Sequence, residues 1–117
     1  MGKIEGGCLC GAVRYTSTLA PGVTSICNCT LCQRQSGAAF SVNVGIPKGS
    51  LVFTRDTPAF YEDTGTSGLS VHRRFCAKCG SPIVSEVEAT PSLDWLKAGT
   101  LDDNSWGRDR SAARTPP

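Results

Sequence analysis

No stretch of this 117-residue chain approaches the roughly 18 consecutive apolar residues that a membrane-spanning helix needs, so no membrane partner is expected. Lysine and arginine nowhere form a dense run, and the formal net charge is only +2, which leaves a nucleic-acid partner without support. The opening residues Met1 to Gly7 contain no apolar segment of the kind a secretory signal requires. Gly6 stands where a myristoylation signal wants Ser or Thr. A cytoplasmic location is the resulting expectation. There is a single histidine, His72, and its strand-like neighbours favour a plain surface or half-buried residue over a metal ligand. No carboxylate pair is placed for general acid–base work; Glu86 and Glu88 read as one exposed strand face. No βαβ pattern accompanies the Cys29-x-x-Cys32 pair, which argues against a thioredoxin-like redox motif.

What the chain does have is glycine, proline and cysteine. Thirteen glycines and seven prolines, set among short apolar runs, point to many turns between short strands. The expected fold is mainly β, with one short helix. Alternating segments mark the strands at 11–17, 23–28, 38–44 and 69–75, with shorter ones at Leu51–Phe53, Phe60–Tyr61 and 82–88. Turns are expected at Pro21-Gly22, Pro47-Lys48-Gly49 and 65–68. Thr30 followed by Gln33 fits a capping box, opening a helix of about two turns that Gly37 stops after Ser36. At this length one domain is expected, spanning residues 1–101, followed by a polar tail at 102–117 that includes Trp106, Arg108, Arg110 and Arg114. A domain this small buries only about two-thirds of its unfolded surface, so a metal staple would add much to its stability.

All seven cysteines fall into groups: Cys8 and Cys10; Cys27, Cys29 and Cys32; Cys76 and Cys79. In a reducing compartment, clustered thiols of this kind hold metal more often than disulfides, and an odd number cannot pair off. The residues that follow assign the groups to sites. Gly11 follows Cys10 and Gly80 follows Cys79, and a glycine there can take positive φ and curl the backbone so that N–H groups aim at sulfur. Cys8, Cys10, Cys76 and Cys79 are therefore expected to share one closed, structural zinc. Cys27 and Cys29 sit two apart on one strand face, and Cys32 follows in the first helical turn, where unpaired N–H groups favour a thiolate. Three ligands and one open position are the arrangement of a catalytic zinc. Two Zn2+ sites per chain are thus expected, the second of them not necessarily full; His72 or an acidic residue is the alternative that would close it.

The segments Gly7-Cys8-Leu9-Cys10-Gly11, Cys27-Asn28-Cys29-Thr30-Leu31-Cys32 and Arg74-Phe75-Cys76-Ala77-Lys78-Cys79-Gly80 together resemble the family of glutathione-dependent formaldehyde-activating enzymes, which includes a centromere-protein branch. The resemblance implies an Mss4-like β fold, a small zinc-stapled sandwich or tent. It assigns Cys8, Cys10, Cys76 and Cys79 to the structural zinc and Cys27, Cys29 and Cys32 to the catalytic zinc. The implied activity is that of a carbon–sulfur lyase, which adds the thiol of glutathione to formaldehyde or reverses that step. The partners implied are a small thiol and a small aldehyde. Asn28 stands where the family often has histidine, and an amide can hydrogen-bond but cannot shuttle a proton near neutral pH.

Two readings from other classes stand beside this one. The chain could be a non-catalytic zinc-binding interaction module, or a chromatin-associated module like the centromere branch, against which the missing basic arm counts. Arg34, Arg73 and Arg74 lie near cysteines in sequence, and one of them could pair with a substrate carboxylate, although charge compensation or solvent exposure is the simpler role. Phe40, Phe53, Phe60 and Phe75 follow strand alternation and are expected in the core, and Trp95, in the mixed apolar stretch 93–96, is expected to be packed. Edge strands of so small a β protein leave a homodimer possible.

Overall fold

A computed structural model describes residues 4–18, 23–65 and 67–103. Among the described residues the chain forms nine strands: β1 (Ile4–Gly7), β2 (Arg14–Ser17), β3 (Val23–Cys27), β4 (Ser41–Pro47), β5 (Leu51–Phe53), β6 (Ala59–Thr64), β7 (Ser70–Phe75), β8 (Pro82–Val87) and β9 (Leu93–Lys97). The helix α1 (Thr30–Ser36) lies between β3 and β4, and a 3-10 turn (Ala98–Thr100) follows β9. The mainly β fold class is as expected. All strand pairing is antiparallel, in a three-stranded sheet ordered β1-β2-β5 and a six-stranded sheet ordered β3-β4-β9-β8-β7-β6.

The hydrophobic core joins the two sheets. Val13 and Tyr15, at and just before β2, pack with Val44 and Ile46 of β4, Val84 of β8 and Leu96 of β9, all of them fully buried or nearly so. Burial of this kind is worth roughly 1.5–3 kcal/mol per large apolar side chain. The Tyr15 hydroxyl is satisfied rather than stranded: it lies 2.7 Å from Thr100 Oγ1, which in turn donates to the Lys97 carbonyl at 2.8 Å. Burial pushes the Tyr15 phenol up to about 12. Gly6 runs directly beneath this ring, and any β-carbon there would fall 2.3 Å from the Tyr15 oxygen. The chain closes with a bridge from Gly6 to Leu101, an Asp102 N–H bond to the Glu5 carbonyl at 2.9 Å, and a two-pronged Arg14–Asp102 ion pair.

Several local expectations need correction. The segment 11–17 becomes strand only from Arg14, because Gly11 turns with φ +82°. The strand expected at 38–44 begins at Ser41 and runs to Pro47, which leaves Phe40 outside it and 49% exposed. Phe60 is also 50% exposed, lying against the His72 ring at 4.8 Å and under the Arg74 guanidinium at 5.2 Å. Phe40 precedes β4, and Phe60 lies on β6, the edge strand of the six-stranded sheet, where residues 60–62 are all exposed. Phe53 does pack against the core. The helix spans the expected residues and ends on Gly37 at φ +71°. Its N-cap, however, is Cys29 and not Thr30: the Cys29 sulfur accepts from the Cys32 N–H. The turn at Pro47 closes through a Ser50 N–H to Pro47 carbonyl bond and the next through Gly68 to Gly65. Pro21-Gly22, Thr66 and the residues from 104 on, Trp106 and the three tail arginines included, lie outside the described residues.

The second face of the six-stranded sheet carries the site. Strand pairing sets Ser25 opposite Asn43 and Asn43 opposite Lys97, across β3, β4 and β9. It likewise sets Arg73 opposite Ser85 and Ser85 opposite Trp95, across β7, β8 and β9. Side chains of directly paired residues share a face, so six residues from five strands meet there. Asn43, Arg73, Ser85 and Lys97 are buried although polar.

Candidate metal centres and the pocket

The four-cysteine group is built from two similar turns, one after β1 and one after β7. In the first, the Cys8 N–H bonds to the Val13 carbonyl (3.1 Å) and the Val13 N–H returns to the Cys8 sulfur (3.3 Å). In the second, the Cys76 N–H bonds to the Ser81 carbonyl (2.9 Å), and the Lys78 N–H points to the Cys76 sulfur (3.4 Å). Gly11 and Gly80 close these turns at the same φ, +82°, as the glycine argument requires. The Ser81 hydroxyl ties the turns together, accepting from the Leu9 N–H at 3.0 Å and lying 3.2 Å from the Cys79 sulfur. That hydroxyl, with the N–H groups of Ser81 and Cys10, holds the Cys79 thiol down to about 5.

The four sulfurs lie within 4.8 Å of one another. A tetrahedral zinc with Zn–S near 2.3 Å separates its sulfurs by about 3.8 Å. The Cys8–Cys10 and Cys10–Cys76 separations are 3.6 and 3.8 Å. Donor type, number and spacing all fit a four-thiolate zinc site.

The three-cysteine group sits at the other functional junction, where β3 runs into α1. Cys27 ends the strand, Cys29 caps the helix, and Cys32 is the helix's buried residue. Cys27 lies 3.4 Å from Cys29 and 2.7 Å from Cys32, with all three thiols free. The Cys27–Cys32 separation is shorter than the tetrahedral edge, so an ion here requires those two sulfurs to part. The Cys32 N–H, aimed at the Cys29 sulfur, is the main cause that lowers the Cys29 thiol to about 7. Burial, followed by the neighbouring thiols, pushes Cys32 up to about 11. The trio therefore already contains one easily ionised sulfur.

A pocket of about 340 Å³ opens beside these three thiols. Ser25, Asn43, Arg73, Ser85, Trp95 and Lys97 line it from the sheet, and Leu31, Val71, Val87 and Ala89 add apolar wall. Arg73 is the one arginine of the three considered from sequence that reaches the pocket. Arg34 is exposed, and Arg74 pairs with Glu86 at 2.9 Å away from the pocket. His72 also turns away, between Glu62 (3.9 Å) and Glu86 (3.7 Å), and joins neither cysteine group. Asn28 is exposed and is not among the lining residues. Trp95 is half-buried and packs in the pocket wall, with its indole N–H on Thr90 Oγ1 at 2.9 Å.

Lys97 was not legible as a site residue. It is only 7% exposed, and its ammonium donates to Asn43 Oδ1 at 3.0 Å. Burial lowers its pKa, the thiols of Cys32 and Cys27 oppose that shift, and Arg73 adds to it. The available signal was the alternation of β9, which puts Lys97 on the same face as Trp95.

The family model described as "Glutathione-dependent formaldehyde-activating enzyme" matches residues 3–115. Two fungal proteins provisionally named glutathione-dependent formaldehyde-activating enzymes are each 26% identical to the chain. One, from Fusarium vanettenii, matches over 96% of this chain and 61% of its own length. The other, from Podospora anserina, matches over 91% of this chain and 51% of its own length. The chain thus spans little more than half the length of these relatives. A crystal structure of a Rhodobacter sphaeroides protein has a similar fold, with a TM-score of 0.64 and 20% identity over 84% of this chain and 87% of the other.

Proposed function

Since the chain belongs to the family of glutathione-dependent formaldehyde-activating enzymes, we propose that it is a zinc-dependent enzyme of the carbon–sulfur lyase type. It joins a thiol of the glutathione kind to formaldehyde or another small aldehyde, or cleaves the product. The observation that carries this reading is the opening of the Cys27, Cys29 and Cys32 group onto a pocket of about 340 Å³. A purely structural site needs no such pocket. In this reading Cys8, Cys10, Cys76 and Cys79 hold a closed structural zinc that ties β1 to the end of β7. Cys27, Cys29 and Cys32 hold the second ion.

Zinc at the second position supplies a Lewis acid suited to holding a thiol as thiolate or polarising an aldehyde oxygen. The chain's own residues do the rest. Leu31, Val71 and Val87 form the apolar part of the wall, which limits water around the reacting groups. Ser25, Ser85 and Asn43 offer hydrogen-bonding groups along one side. The Cys32 N–H anchors the Cys29 sulfur at 3.4 Å and fixes one corner of the ligand set. In the forward reaction the substrate sulfur forms a bond to the carbonyl carbon, the C=O π bond opens, and the oxygen takes up the proton the thiol gives up. A reducing cytoplasm, where thiols stay free, is the compartment this chemistry fits.

The test is exchange of formaldehyde into S-hydroxymethylglutathione, followed by NMR on zinc-loaded protein. Wild type accelerates the exchange; Cys32→Ser loses that acceleration and one zinc while keeping the other. Undiminished acceleration in a Cys32→Ser protein lacking that zinc would refute the reading.

A further inference from the structure

The pocket holds more buried cationic hydrogen-bond donors than its own residues use. Arg14, Arg73 and Arg74, the arginines at least partly buried among the described residues, each have a carboxylate partner: Asp102, Asp63 and Glu86. Lys97 is as buried as Arg73, at 7% exposure each, yet its hydrogen bond goes to the neutral Asn43. Among the described residues no carboxylate pairs with it. Arg73 meets Asp63 through Nε at 3.0 Å. A guanidinium carries five N–H donors and an ammonium three, so one bond each leaves most of both groups for another acceptor.

Burial is the main cause that lowers the Lys97 pKa; Cys32 and Cys27 oppose that shift and Arg73 adds to it, so the ammonium lies within electrostatic reach of both the thiols and the guanidinium. Buried like charges with spare donors are costly unless an anion lies between them. The acceptor that best matches a fork of guanidinium hydrogens beside an ammonium is a carboxylate, through charge-assisted bonds. Both cations line the pocket onto which the three thiols open.

Resting on the functional reading above, we propose that Arg73 and Lys97 together receive a carboxylate of the thiol substrate and select carboxylate-bearing thiols over uncharged ones. Asn43 and Asp63 are then positioning residues: Asn43 holds the ammonium in place across β4 and β9, and Asp63 sets the guanidinium plane from β6.

The experiment is calorimetric titration of the zinc-loaded chain with 3-mercaptopropionate, its methyl ester and cysteamine. The acid is expected to bind at least about tenfold more tightly than the ester, the effect of one charge-assisted contact, and cysteamine weakest of the three. In Lys97→Gln the preference for acid over ester falls to about twofold. Arg73→Gln is the second variant should Lys97→Gln fail to fold, and the wild-type comparison needs no variant. Equal binding of acid and ester to wild type overturns the inference and leaves the proposed function standing, because the thiol still binds. A preference that survives in both folded variants overturns the assignment to these residues. Binding of none of the three thiols overturns the functional reading and the inference with it.

Discussion

Replacing Gly80 by alanine probes the four-cysteine turn without touching a ligand. The residue has φ +82°, and an added β-carbon would meet nothing within 4 Å. The cost is therefore conformational alone, about 1–2 kcal/mol for an L-residue in the left-handed region. For a domain of this size that lowers the thermal midpoint by about 4 °C per kcal/mol. Gly99 provides the control, since it also has open space around its missing side chain but no positive φ. Gly99→Ala should be neutral or stabilising by about 0.4–1 kcal/mol. The assay is thermal unfolding of the zinc-loaded protein, paired with the rate at which a chelator strips each zinc. Gly80→Ala should speed loss from the four-cysteine site and leave the three-cysteine site unchanged. If Gly80→Ala proves as harmless as Gly99→Ala, the claim that these glycines shape the turns around sulfur is wrong.

Ser81→Ala removes the hydroxyl that is the largest cause of the lowered Cys79 thiol, which ionises near 5 instead of 9. A lower thiol pKa means protons compete with metal only at lower pH, so the variant should release its structural zinc at a higher pH than wild type. An acid titration read with a zinc indicator checks this, and an unchanged release profile would contradict it. Tyr15→Phe strips the hydroxyl from a fully buried ring and leaves Thr100 Oγ1 without its donor. The expected cost is about 1 kcal/mol in denaturant unfolding, with no change in zinc content; a loss of zinc would mean the ring supports the metal turn directly.

Local chemistry made the cysteine clusters and the helix readable. Cys10-Gly11 and Cys79-Gly80 announce two turns of the same shape, and Gly37 marks the end of α1 at the observed residue. The cap was misread because a thiol took the place usually given to a hydroxyl, and the gathering of Cys29 with Cys27 and Cys32 is what puts its sulfur there. Alternation found strand faces but could not say which were covered. Phe40 and Phe60 looked like core residues and are half exposed, whereas Arg73 is buried on an apolar-looking face. The pocket was hidden for the same reason. Lys97 and Arg73 come together only through the order β4-β9-β8-β7, and strand order depends on pairing between distant segments, not on any local pattern.

The central claim is that the chain carries one closed and one open zinc site. Zinc per chain, measured on protein purified without chelator and again after excess glutathione, tests it most directly. The account predicts two zincs per chain, with glutathione altering the lability or spectrum of one and leaving the other as it was. One zinc per chain, indifferent to glutathione, would contradict it and leave Cys27, Cys29 and Cys32 as thiols with no metal to hold.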